Sequence, residues 1–239
     1  MLEKLFASIG DKNNGNNGNN GDAEQARAAS AEIRGFAPYK NGGLNFIYNL
    51  LFCDNLELFK VTANTDPLGP WATLLAENPS AAALYTIAGD GSQESRLRAL
   101  AYNRLREKDQ PVPPKEFLGV IIEVGLEGGL DVLAAFPDGR VRYINETERM
   151  SFFEESPVPV RSKAEKLLSA SQLAVQSIGP WDQARLAPPS NGMIRMSFLV
   201  SDGLYFGQGP FNVMQRDPLA GPIIAAGLEL LQAVVDMTP

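Results

Sequence analysis

A proline-rich break at residues 109–114, DQPVPP, divides this chain into two halves with different hydrophobic periods. Proline fixes its own φ and drives the preceding residue out of the helical region, so no helix runs through this segment. Before the break, Leu44, Ile47, Tyr48, Leu51, Phe52, Leu58 and Phe59 recur at helical spacing, interrupted at Asp54-Asn55. Pro67 and Pro70 stand near the start of GPWATLLAE, and Asn78-Pro79 has the order of an N-cap followed by proline at the first helical position. Ser92 is a candidate cap for QESRLRALAYNRLREK, whose Leu97, Leu100, Ala101 and Leu105 form one stripe.

Beyond the break the period is two. Val120, Ile122 and Val124 predict one strand, and Leu130, Val132, Ala134 and Phe136 a second. Val141, Tyr143 and Asn145 continue after the Pro137-Asp138-Gly139 turn, and Met150 to Glu154 predicts a fourth strand. Short connections favour antiparallel neighbours. Ser162-Lys163-Ala164-Glu165 matches a capping box, and the helix it predicts stops at Gly179-Pro180. Ile194, Met196, Phe198 and Val200, followed by Ser201-Asp202-Gly203 and LYFGQG, predict a hairpin. Asp217-Pro218 caps a last helix in which only Glu229, Gln232 and Asp236 keep a wet face.

The expected fold is α+β, a helical N-terminal half packed on a C-terminal antiparallel sheet of about six strands. Its order is a four-strand meander, a helix, a two-strand hairpin and a helix. Residues 1–22 read as a short amphipathic start (Leu2, Leu5, Phe6, Ile9) and a flexible Asn-Asn-Gly linker. Residues 23–114 read as the helical segment and 115–239 as the sheet with its two helices, with 23–239 as a single unit the alternative.

Composition narrows the chemistry. The chain has no histidine, which removes the usual general base at neutral pH and the commonest metal ligand. Cys53 is the only cysteine, so no intrachain disulfide or cysteine metal cluster exists. Its neighbours Leu51 and Phe52 mark it as a core residue. A net charge of −7 argues against a nucleic-acid partner. No uninterrupted apolar run approaches the roughly 18 residues of a membrane span, and a cytoplasmic location is expected. GLYFGQGP is glycine-rich ahead of a helix but lacks the Lys-Ser/Thr of a phosphate loop, so it reads as a twisted strand end. No cofactor, metal site or catalytic residue is expected.

The stretches IYNLLFCD, ESRLRALAYNRLR, GLDVLAAFPDGRVRYIN and FLVSDGLYFGQGP resemble a family of uncharacterised bacterial proteins, over most of residues 41–236. That resemblance implies one evolutionary unit and carries no activity with it.

Candidate site residues come from the sheet. Val120, Ile122, Val132, Ala134, Phe136, Ile194, Met196, Phe198 and Val200 are assigned to one apolar face, covered by the C-terminal helices. Ile121, Leu133, Ala135 and Leu199 share the other with Glu123, Asp131 and Arg195, joined by Arg140, Arg142 and Ile144. A solvated face would carry fewer large aliphatics, so the N-terminal helices are expected across it, leaving a charged seam. Its opposite charges form structural ion pairs in one reading. In the other, Arg142 and Arg195 line a pocket for an anion or small molecule, with Arg140, Glu123 and Asp131 beside them. The leading functional expectation is a non-enzymatic cytoplasmic protein acting through protein–protein contact, with self-association one form of it. The alternative is a small-molecule or anion sensor using the cleft between sheet and N-terminal helices. The third is a carboxylate- or arginine-dependent enzyme.

Overall fold

The computed structural model describes residues 35–60 and 69–237. The predicted amphipathic start, the Asn-Asn-Gly linker and Pro67 lie outside the described residues. Five helices precede the sheet among the described residues: α1 (Gly42–Leu50), α2 (Leu56–Lys60), α3 (Pro70–Leu75), α4 (Ala81–Gly89) and α5 (Ser95–Glu107). The Asn41 side chain caps α1 by accepting from the Gly43 N–H at 2.9 Å. After α1 the chain turns through Cys53, which is buried in the left-handed region at φ 54°. Burial pushes its thiol well above the usual range.

Two caps differ from those the sequence suggests. The cap of α4 is Ser80, whose hydroxyl accepts from the Ala83 N–H at 3.2 Å, so Pro79 precedes the cap and does not follow it. Ser92 does not cap α5; its N–H and hydroxyl both donate to Asp90 Oδ1 in a local turn. The Ser95 N–H at the start of α5 instead donates to Asp138 Oδ2 at 2.6 Å, from the turn between the second and third strands. A cap delivered from 43 residues away leaves no local signature.

Six strands form one antiparallel sheet: β1 (Phe117–Gly125), β2 (Leu130–Ala135), β3 (Val141–Ile144), β4 (Met150–Phe153), β5 (Met193–Val200) and β6 (Gly203–Pro210). Their order is β4-β3-β2-β1-β5-β6, so the meander and the hairpin join where β5 lies beside β1. Helix α6 (Val158–Ser177) follows β4, and α7 (Phe211–Met214) and α8 (Ala220–Met237) follow β6. The predicted capping box lies inside α6, because the helix starts a turn earlier, with Pro157 as its N-cap residue and Pro159 presetting a helical φ in the first turn. Asp217 caps α8 as expected, its Oδ1 accepting from Leu219 and Ala220 N–H at 2.8 and 2.9 Å.

The sheet is covered on both faces. Helices α6 and α8 pack on Val120, Ile122, Val124, Ile194, Met196, Phe198 and Val200. The N-terminal helices pack on Ile121, Val132, Ala134, Phe136, Ile144 and Leu199. The face assigned to β2 is therefore corrected. Ile122 lies opposite Leu133, which puts Leu133 and Ala135 under α6 and α8 and turns Val132 and Ala134 toward the N-terminal helices. Every residue of β2 is buried, so alternation carries no information about which side is which. Helix α8 has the length and mean hydropathy, 1.4, of a membrane span. Half of it is nonetheless buried in this core, and Gly227 passes so close to Ile122 that a Cβ there would sit 2.8 Å from the Ile122 side chain.

The long-range cap has a measurable consequence. Asp138→Ala is expected to destabilise the protein by about 1–2 kcal/mol in urea unfolding, whereas Ser92→Ala stays within about 0.5 kcal/mol. Equal effects would refute the assignment of the cap to Asp138.

Candidate functional site

On the face toward the N-terminal helices, strand pairing sets Glu123 of β1 directly opposite Arg195 of β5. Both are essentially inaccessible, at 0% and 1% exposure. Arg195 Nε donates to Glu123 Oε2 at 2.6 Å and Nη2 donates to Oε1 at 2.9 Å, a bidentate pair. The remaining Arg195 Nη1 donates to the carbonyls of Leu186 and Ala187 at 3.2 and 2.8 Å. Tyr48 of α1 completes the carboxylate, its hydroxyl donating to Oε1 at 2.6 Å. Burial, then the charge of Glu123, holds the Tyr48 phenol far above its ordinary range, so it stays a donor.

A second guanidinium lies above this pair. Arg185, in the loop between α6 and β5, stacks 3.8 Å from the Phe52 ring centre and 4.9 Å from that of Phe36. Its Nε donates to Asp54 Oδ2 at 2.6 Å, Nη2 to Asn49 Oδ1 at 2.9 Å and Nη1 to the Tyr48 hydroxyl at 3.4 Å. Phe36, Asn49, Asp54, Asn55, Leu58 and Arg185 line an open cleft of about 400 Å³. That is within the range of small-molecule sites.

The five residues singled out from the sequence do not converge. Glu123 and Arg195 form the buried pair. Arg142 belongs to a row with Ala134 and Ile121, and β1 and β2 separate it from β5. Its Nη2 donates to Glu154 Oε1 at 2.5 Å, and its Nη1 to the carbonyls of Val141 and Phe153 at 3.1 and 3.0 Å. Arg140 joins the same Glu154 through Oε2 at 2.8 Å and approaches Asp138 at 3.4 Å. Asp131 is on the opposite face, a consequence of the corrected β2 register. Its Oδ1 accepts from the Glu146 N–H at 2.7 Å and its Oδ2 from the Tyr143 hydroxyl at 3.0 Å. No cation pairs with it among the described residues, and burial raises its pKa to about 7.

Sequence reasoning missed Tyr48, Arg185 and Asp54. Tyr48 reads as one member of a helical apolar stripe. The available signal for Arg185 was the length of the ordered connection around it, since such loops in compact folds commonly carry function. Chemically, four of the five Arg195 N–H groups are engaged by protein acceptors, and the charges of Glu123 and Asp54 balance those of Arg195 and Arg185. Among the described residues no acidic or cysteine grouping could hold a metal ion. Comparison with known protein families, curated proteins and solved structures finds no match.

Two outcomes follow. Arg195→Met strands Glu123 and two carbonyls in the interior and is expected to cost about 3–5 kcal/mol. Arg142→Met, whose partner Glu154 is 67% exposed, should cost about 1–2 kcal/mol. Urea unfolding of the two variants checks the order, and a smaller loss for Arg195→Met would contradict it. Asp131 binds its proton more tightly folded than unfolded. Its stabilising contribution is complete below about pH 4 and is lost as pH rises through about 7. Asp131→Asn should flatten that slope, worth on the order of a few kcal/mol, in urea titrations across the range. An unchanged slope would rule out Asp131 as its source.

Proposed function

We propose that this chain acts without catalysis, through protein–protein contact made at the β6 edge of its sheet. The observation that carries this reading is the chemistry of that edge. β6 ends the strand order, and its sequence GLYFGQGP contains no charged residue. Exposed edges are normally blunted by charge, bulges or cover, because their free N–H and C=O groups template another strand. Backbone groups alternate in direction along a strand. The Leu204 carbonyl points outward and accepts from the Trp181 N–H at 2.7 Å. Phe206 and Gln208 share that direction, and among the described residues nothing bonds to their backbone groups on that side. Apolar groups flank the edge, with Trp181 packed 5.0 Å from Phe206 and Val213 of α7 58% exposed. Addition of a partner strand is the recognition mode this arrangement fits.

The interior supports the same reading from the other side. The arginines of the sheet are bound by carboxylates, Arg142 by Glu154 and Arg195 by Glu123. The reading is of a bacterial cytoplasmic protein, in line with the resemblance over residues 41–236. The Arg185 cleft favours a second reading, a small-molecule sensor, because its volume is adequate and Asp54 keeps a side-chain exposure of 35%. The anion pocket formed jointly by Arg142 and Arg195 is not part of either reading, since β1 and β2 stand between them.

Partner capture from cells with the full chain separates these. A specific partner should be retained by Gln208→Ala and lost with Gln208→Pro, which removes an outward N–H and leaves the β5 ladder untouched. Inorganic phosphate and small carboxylates should leave the melting temperature unchanged. A rise in melting temperature that disappears in Arg185→Met would replace the contact reading with the sensor.

A further inference from the structure

We infer that the cleft beside Arg185 binds a free α-amino acid with an apolar side chain, in its zwitterionic form. This rests on the second reading, in which the cleft takes a small molecule, and names its ligand. Among the described residues none that lines the cleft belongs to β6, so the contact surface of the leading reading stays open.

Two opposite charges stand side by side in the cleft wall, and each keeps a free hydrogen-bonding position. Asp54 Oδ2 accepts from Arg185 Nε at 2.6 Å. Its Oδ1 has no partner among the described residues, and the side chain is 35% exposed. Arg185 spends one N–H each from Nε, Nη1 and Nη2 on Asp54, Tyr48 and Asn49. One N–H at Nη1 and one at Nη2 have no partner among the described residues, although only 7% of the side chain is exposed. An acceptor that reaches a covered, charged donor is held more strongly than one in open water. Beside them, Asn55 Oδ1 accepts from the Glu57 N–H at 3.0 Å, and the Asn55 amide nitrogen has no partner among the described residues.

The charges select the ligand. A lone anion at Arg185 also lies close to Asp54, so attraction and repulsion largely cancel. A lone cation at Asp54 meets the same cancellation from Arg185. A zwitterion is the complement of the pair. Its ammonium donates to Asp54 Oδ1 while its carboxylate accepts from Arg185 and Asn55. An α-amino acid carries both charges on one carbon, which suits two protein charges that are themselves in contact. Phe36 and Leu58 supply the apolar wall for its side chain, and a cleft of about 400 Å³ holds one such molecule.

The wall is set before a ligand arrives. Asn49 Oδ1 accepts from the Phe36 N–H and from Arg185, at 3.1 and 2.9 Å. Its Nδ2 donates to the Phe36 and Asn45 carbonyls at 2.7 and 2.6 Å. Gly35 passes so close that a Cβ there would sit 2.8 Å from the Asn49 side chain. Groups held this way lose little further freedom on binding.

Isothermal titration of the full chain with L-leucine and with L-phenylalanine tests the inference. At least one should bind with a Kd below about 1 mM. The deaminated acids, isocaproate and hydrocinnamate, and the decarboxylated amines, isoamylamine and phenethylamine, should each bind at least about tenfold more weakly than the parent amino acid. These comparisons use the wild type and need no variant to fold. Asp54→Asn keeps an oxygen for Arg185 Nε and removes the charge. There the amino acid should lose at least about tenfold in affinity, while the acid should bind better than it does to the wild type. General damage to the fold would weaken both ligands and does not give that reversal. Failure of both amino acids to bind, or an amino acid whose affinity is unchanged in Asp54→Asn, would overturn the inference. If an acid or an amine binds the wild type as tightly as its amino acid and Asp54→Asn alters that binding, the small-molecule reading stands and only the zwitterion is excluded. If none of the six compounds binds, both fall.

Discussion

Glu123 and Arg195 are both removed from water at the centre of the sheet, and each gives up several kcal/mol of hydration in the process. That loss is offset only by a geometry in which every charged oxygen and most of the guanidinium donors find partners. The partners come from distant parts of the chain. Glu123 belongs to β1, Arg195 to β5, Tyr48 to α1, and the Leu186 and Ala187 carbonyls to the loop before β5. One ion pair thereby fixes the position of a strand, a helix and a loop relative to one another. It also fixes the register of β1 on β5, the one neighbouring strand pair not joined by a short connection. A slip of one residue would turn Glu123 or Arg195 into the apolar core beneath α6 and α8, with no partner there. We read the pair as a register lock whose cost in solvation is offset by specificity.

The loop between α6 and β5 gains its order from the same source. It begins at the sheet edge, where Trp181 bonds to Leu204, and crosses to α1, where Arg185 bonds to Tyr48 and Asn49 and stacks on the flanking Phe36 and Phe52. It then passes over Arg195 and reaches Gly125, where any side chain would collide with the Ser190 carbonyl. Glycine is required at Gly125 by that close approach. The loop is thus anchored at successive points along a face whose inner charges are already balanced. The cleft beside Arg185 lies along this path, walled by an arginine that Asp54 and Asn49 hold in place.

What the sequence could reveal follows from which interactions are local. The change from helical to alternating period at DQPVPP, the hairpin turn at Ser201-Asp202 and the Asp217 cap are set by neighbouring residues, and the structure agrees with each. The covering of both sheet faces was legible because Ile121 and Leu199 interrupt an otherwise charged side. The side occupied by β2 was not legible, since Leu133 and Val132 are equally buried and equally apolar. Asp131 was misplaced with it. Helix starts failed where tertiary structure supplied the cap, as Asp138 does for Ser95. Arg142 and Arg195 look alike in sequence, each in an alternating strand, and only the strand order sends them to separate partners. Arg185 and Tyr48 could not be found from spacing, because their meeting depends on a loop folding back across 137 residues.

The register-lock account is tested most directly by a double-mutant cycle on Glu123→Leu and Arg195→Leu in urea. Each single change leaves a buried charge alone, while the double change leaves an apolar pair of similar bulk. The account predicts a coupling energy of at least about 2–3 kcal/mol, with the double variant far more stable than the sum of the single losses implies. Single losses that add within about 0.5 kcal/mol would show that the two residues do not act as a pair, and would contradict it.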